Sequence, residues 1–171
     1  MKLSDFRKQL PFLVQDNMTV FYSMRMLKKY TLDFDVYLPS IGKNLQRPFV
    51  WTLEQKQALI LSVLKGMHIP NISIIIVDHK VYQIIDGKQR LSTIMAFIDN
   101  LFPFNCNGVD YYYKDMPSDV QNAILGLPLK FNVAYSFEEA PIADQDKIQW
   151  FEAINFAGTA LDKEHLKTLK G

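Results

Sequence analysis

The five consecutive residues Asp86-Gly87-Lys88-Gln89-Arg90 are the strongest candidates for chemistry in the chain. They stand where an apolar run, Tyr82-Gln83-Ile84-Ile85, gives way to a new pattern. From Leu91 onward the apolar positions are Leu91, Ile94, Met95 and Ile98, the spacing of one helix face. The five polar residues therefore occupy a strand-to-helix turn. Asp86 and Gln89 are spaced for a reciprocal helix cap, with Gly87 easing the turn. Such a cap leaves Lys88 and Arg90 unexplained. A cation in the first helical turn faces the positive end of the dipole, at a cost of a few tenths to ~1 kcal/mol. Two together point to a negative group seated there; the plainer alternative is a pair of surface charges turned to solvent. Free N–H groups at a helix start already favour an anion. Lysine adds a point charge and arginine a bidentate fork. A phosphate held at Gly87 to Arg90 is the expectation.

This is not a standard P-loop. Tyr82 stands where the earlier glycine belongs, and Gln89 replaces the Ser or Thr. A nuclease site of the D…D-x-K kind is an alternative, with Asp78 and Asp86 holding Mg²⁺ and Lys88 steadying the attacking water. A second constellation is Gln46-Arg47-Pro48-Phe49-Val50-Trp51. Here Arg47 either packs its stem on an aromatic ring or clamps a phosphate beside a stacking platform. A third is Asn155-Phe156-Ala157-Gly158-Thr159, either a C-capping turn or a polar loop closing over the same ligand. His68, His79 and His165 are scattered, and no zinc spacing appears. No G-x-S-x-G elbow is present, and Cys106 sits near a hairpin turn. Glu138, Glu139, Asp144 and Asp146 read as a solvated acidic loop.

The elements that must position these residues are legible in outline. Met18 to Tyr30 reads as a helix, and Asp33 to Leu38 as a half-buried alternating strand. Thr52 and Gln55 form a capping box that opens a helix with Leu53, Ala58, Leu59, Val63 and Leu64 on its apolar stripe, stopped by Gly66. Asn71 to Val77 is apolar enough for a strand buried on both faces, and Val81 to Ile85 returns from the Asp78-His79-Lys80 turn. Asn107-Gly108 signals a hairpin. Ser118 to Gly126 reads as a helix and Leu129 to Phe137 as a strand. Ile148, Phe151 and Ile154 mark a further helix, and Asp162 to Lys170 a last one. The order is mixed, without regular βαβ repeats. It predicts a single α+β domain over 1–171, with 1–32 a helical extension and 33–171 the core.

Composition sets the limits. The 171 residues are 49% apolar and 22% charged, with net charge +1, which is ordinary for a globular chain and too balanced to grip nucleic acid with the whole surface. One cysteine excludes an internal disulfide and favours a reduced, cytoplasmic setting. The start, MKLSDFRKQL, lacks a signal-peptide core, and Ile74 to Val77 is too short to span a membrane.

In order and spacing, LQRPFVW, then G-x-x-I-P with its apolar strand, YQIIDGKQRLSTI and F-x-x-I-N-x-A-G-T-x-L resemble one family over Val36 to Leu169. It is the N-terminal domain family of GmrS/GmrD-type modification-dependent restriction enzymes, also found in the SspE phage-defence protein. The resemblance implies a ParB/sulfiredoxin-like fold, with a small mixed sheet and hairpins packed by several helices. It implies a nucleoside triphosphate as ligand or substrate, with Mg²⁺ and hydrolysis coupled to DNA cleavage. Asp86, Gly87, Gln89 and Arg90 match the D-G-Q-Q-R motif, while Lys88 replaces its usual Gln. Gln46, Arg47 and Trp51 match the second motif. The implied catalytic set is Asp86, Lys88, Gln89 and Arg90, with Asp86 the weak metal candidate. Gln46, Arg47, Trp51, Gly87, Lys88, Arg90, Ser92, Asn155, Gly158 and Thr159 would bind the nucleotide. Sulfiredoxin chemistry is excluded, because no cysteine stands at the turn. Nothing in the chain resembles the HNH-type nuclease domain that restriction-active relatives usually carry; DNA and a separate nuclease subunit are expected as further partners. A DNA-binding adaptor without turnover and a Mg²⁺-dependent nuclease are the alternative readings.

Overall fold

The computed structural model describes residues 2, 18–136 and 141–156. Its centre is a five-stranded mixed sheet of strands β1 (Met18–Tyr22), β2 (Thr31–Asp33), β5 (Ile72–Ile76), β6 (Val81–Asp86) and β9 (Leu129–Tyr135), in the order β1-β9-β5-β6-β2. β1 and β9 are antiparallel, as are β5 and β6, whereas β9 with β5 and β6 with β2 run parallel. Two small hairpins, β3 (Tyr37–Leu38) with β4 (Lys43–Asn44) and β7 (Phe104–Cys106) with β8 (Val109–Tyr111), lie outside it. Among the described residues there are five α-helices, α1 (Met24–Leu27), α2 (Leu53–Leu64), α3 (Lys88–Ile98), α4 (Ser118–Gly126) and α5 (Asp144–Phe156), and a 3₁₀ turn at Tyr113–Asp115. The architecture is mixed α+β, as expected.

The sheet is buried on both faces because its central strands carry apolar residues in both phases. Ile72, Ile74, Tyr82, Ile84, Phe131 and Val133 join Leu59, Ile60, Leu91, Ile94 and Phe97 of the helices in the larger core. Ile75, Ile85 and Ala134 face the other way, against Ile148, Trp150 and Phe151 of α5 and against Val36, Leu38 and Leu45. Tyr82 stacks on Tyr30 with ring centroids 4.3 Å apart. Burial, then the hydrogen bond with Tyr22, push its phenol well above the usual tyrosine range, so it serves as a neutral core residue.

Several expected elements form. The Thr52–Gln55 capping box is closed in both directions, at 3.3 and 2.9 Å. Gly66 ends α2 at φ 65°, and Asn107 and Gly108 turn the β7–β8 hairpin at φ 52° and 80°. Other expectations are corrected. Met18 to Tyr30 is not a helix, and the helical extension drawn over residues 1–32 is, where described, strand β1 followed by the single turn α1. Val20 and Tyr22 turn inward while Thr19 and Phe21 are exposed, an alternation of period two. These β-branched and aromatic residues fit a pleated edge, and pairing along all of β1 with β9 decides the matter. The strand expected from Asp33 to Leu38 is broken. Asp33 Oδ1 accepts from the backbone N–H groups of Asp35 and Val36, and Val36 sits at φ 50°. Leu53 and Ala58 are exposed on α2, whose buried residues are Leu59, Ile60 and Val63. Asp144 and Asp146 belong to the first turn of α5, where the dipole favours them, rather than to a loop. Glu138, Glu139 and the helix expected from Asp162 to Lys170 lie outside the described residues.

Removing the α2 cap isolates one local term. Thr52→Ala should lower stability by about 1 kcal/mol, read as a lower urea midpoint at unchanged slope.

Candidate functional site

The site begins with an irregularity in β6. Ile74 pairs with Ile84, but the neighbouring Ser73 pairs with Asp86, so Ile85 is an extra residue in the strand. Such a bulge re-aims the side chains beyond it. On its other side β6 loses its neighbour early, because β2 ends at Asp33 opposite Gln83. The carbonyls of Ile84 and Ile85 are answered by one side chain. Gln46 Nε2 donates to both, at 2.9 and 2.5 Å. Gln46 is itself buried, and it fixes the segment that follows, Arg47 to Trp51, against the end of β6.

Gly87 then turns the chain into α3. Its φ is 98°, and a Cβ built on it would lie 2.8 Å from Ile72 Cγ1. Glycine is required for both reasons. Gly87 is the N-cap, and no side chain caps the helix. The reciprocal cap expected from Asp86 and Gln89 does not form, because each is engaged elsewhere. Asp86 Oδ2 accepts from Arg90 Nη2 at 2.7 Å. Gln89 spans to the Arg47 segment, accepting from Val50 N at 3.1 Å and donating to the Pro48 carbonyl at 3.2 Å. The first N–H groups of α3 thus keep their capacity for an anion.

Two of the three cations have internal partners. Lys88 Nζ lies 2.6 Å from Asp35 Oδ1. Arg90 bonds Asp86 and also the Asn71 carbonyl, at 3.1 Å, and its Nε is buried with no hydrogen-bond partner among the described residues. These acids account for part of the positive charge that the sequence reading assigned to a ligand or, alternatively, to surface charges turned to solvent. Arg47 is exposed and forms no salt bridge among the described residues. Together the segments enclose a cleft of about 290 Å³ lined by Gln46, Arg47, Trp51, Asp86, Gly87, Lys88, Gln89, Arg90, Phe151 and Asn155. Asn155 stands at its wall with its Nδ2 on the Phe151 carbonyl, 2.7 Å away. Ser92 is half-buried one turn along α3 and does not line it. Gly158 and Thr159 lie outside the described residues. Sequence reasoning missed Phe151 and Asp35 as neighbours of the site. The F-x-x-I-N spacing held a signal for Phe151, but nothing local marked Asp35.

The D…D-x-K arrangement is overturned. Asp78 precedes β6 and Asp86 ends it, which separates them by roughly 20 Å at ~3.3 Å per residue. Asp78 Oδ1 accepts from the backbone N–H groups of Lys80 and Val81, which hold its carboxyl below the usual range. No group of three or more His, Cys, Asp or Glu could hold a metal among the described residues. Asp86 is committed to Arg90 and Asp35 to Lys88, so these donors do not fit a resident Mg²⁺.

Fold and cleft together define a mixed α+β domain whose strand-to-helix turn and one following loop gather three cations at an uncapped helix start. The family model described as GmrSD restriction endonuclease, N-terminal domain, matches residues 25–168, and the chain belongs to that family. No curated protein and no solved structure matches it. Among the described residues, no helix is long and apolar enough to cross a membrane.

Gly87→Ala should cost about 1–2 kcal/mol for the left-handed backbone and about 1–3 kcal/mol for overpacking Ile72. Gly66→Ala, at φ 65° with nothing within 4 Å, should cost only the backbone part. Equal losses in urea unfolding would show that the Ile72 contact does not matter.

Proposed function

We propose that this domain is the nucleotide-binding module of a restriction or phage-host conflict system, of ParB/sulfiredoxin-like fold and cytoplasmic setting. In it the phosphates of a nucleoside triphosphate rest on the start of α3. The observation that carries this reading is the convergence of Arg47, Lys88 and Arg90 on an uncapped helix N-terminus within one cleft. The buried, unpartnered Nε of Arg90 supports it, since a donor left unsatisfied costs about 1–3 kcal/mol. Trp51 and Phe151 supply aromatic walls for the rest of the ligand.

In this reading the backbone N–H groups of α3 and the Lys88 ammonium bind phosphoryl oxygens, and Arg90 offsets charge that develops on them during transfer. Asp86 acts through Arg90, holding the guanidinium at the cleft wall, and Gln89 holds the Arg47 segment. Mg²⁺ would arrive on the phosphates and supply charge neutralisation there. A separate nuclease subunit and its DNA are the partners that would read the occupied state.

Arg90 has a structural share, because it ties β6, α3 and the Asn71 carbonyl together. Arg47 is the cleaner probe. In thermal-shift titrations with ATP, GTP, CTP and UTP plus Mg²⁺, one nucleotide should raise stability by ~2.7 kcal/mol at a hundredfold excess over its dissociation constant. Arg47→Ala should keep the ligand-free melting temperature and weaken binding roughly tenfold to a hundredfold, the loss of one charged hydrogen bond. No shift with any nucleotide, together with a steep salt dependence of oligonucleotide affinity, would replace this reading with a DNA-binding adaptor.

A further inference from the structure

The Lys88–Asp35 pair is unequal. The Lys88 side chain is 10% exposed, whereas that of Asp35 is 63% exposed. An enclosed ammonium needs a counter-charge, because leaving it unpaired away from water is costly. An exposed carboxylate has water as an alternative. Asp35 is also anchored independently of its side chain. Its N–H donates to Asp33 Oδ1 at 3.1 Å, and its carbonyl accepts from Gln46 N at 3.2 Å. The carboxylate can swing away while the turn that carries it stays folded.

Resting on the phosphate reading of the cleft, we infer that Asp35 is a displaceable counter-ion that occupies Lys88 between ligands and lowers the affinity of every phosphate ligand alike, so that only a long phosphate chain binds tightly. A lone phosphate at Lys88 exchanges one ion pair for another and gains little. A chain of phosphoryl groups makes the same exchange and also reaches Arg47, which lacks a salt bridge among the described residues, and the N–H groups of α3. Asp35 thereby sets a threshold that only a multiply charged ligand crosses. The exchange is felt by the loop, since Asp35 is bonded through its backbone to Gln46, the residue before Arg47.

Calorimetric titration of the full chain with inorganic phosphate, pyrophosphate and tripolyphosphate, in wild type and in Asp35→Asn, tests this. Wild type should bind tripolyphosphate at least a hundredfold more tightly than phosphate. Asp35→Asn should improve phosphate and tripolyphosphate affinity by a similar factor, about tenfold, and leave their ratio in place. Affinities in Asp35→Asn unchanged from wild type, or weakened, would overturn the inference and leave the phosphate site standing. Failure of wild type to bind any of the three would remove the phosphate site and the inference with it. A readout that needs no variant is the Asp35 carboxyl ¹³C signal of the wild type, which tripolyphosphate should move to the position of a free, solvated aspartate. A signal unmoved by saturating tripolyphosphate would overturn the displacement directly.

Discussion

One amide holds the site together. Gln46 Nε2 meets the carbonyls of Ile84 and Ile85, where β6 has outrun its neighbour β2 and carries an extra residue. Two buried backbone acceptors without partners would cost several kcal/mol together, and the strand end would not hold. The same bond fixes where Arg47 leaves the sheet. A need of the backbone and the placing of the exposed cation Arg47 are therefore met by a single side chain. Gln89 repeats the device from the helix side, using both ends of its amide on the segment from Pro48 to Val50. The cationic loop lies between two glutamines, one anchored in the sheet and one in the helix.

Charge in the cleft follows from this frame. Cations at a helix start oppose the dipole, and the fold answers with Asp35 and Asp86. Neither acid is spare. Asp86 fixes the arginine at the wall, and Asp35 keeps an enclosed lysine from standing alone. A site with no acids would hold anions more strongly but would carry repelling charges whenever empty. The observed balance moderates that repulsion and leaves Arg47 to face the opening.

Much of the arrangement was legible in the sequence, and what was not has physical reasons. The strand-to-helix turn at Asp86 to Arg90 showed because a period of two changes to one of 3.6 there. The α2 cap showed because Thr52 and Gln55 are neighbours along the chain. The D-x-x-Q cap was misread because local spacing cannot reveal that Asp86 and Gln89 have better partners across space. Asp35 was invisible as a partner of Lys88, since the two lie 53 residues apart and meet only through the sheet. Met18 to Tyr22 fits both periods, and only its distant partner, β9, decides between them.

The extra residue in β6 makes the cleft a question of parity. Along a regular strand, odd and even positions point to opposite faces, and Tyr82, Ile84 and Asp86 would share one side. Counting through Ile85 reverses the phase, so that Asp86 falls in step with Ser73 across the sheet. The larger core is thus read in one phase and the strand-to-helix turn in the other. A single inserted position lets one strand serve two sets of instructions without compromising either.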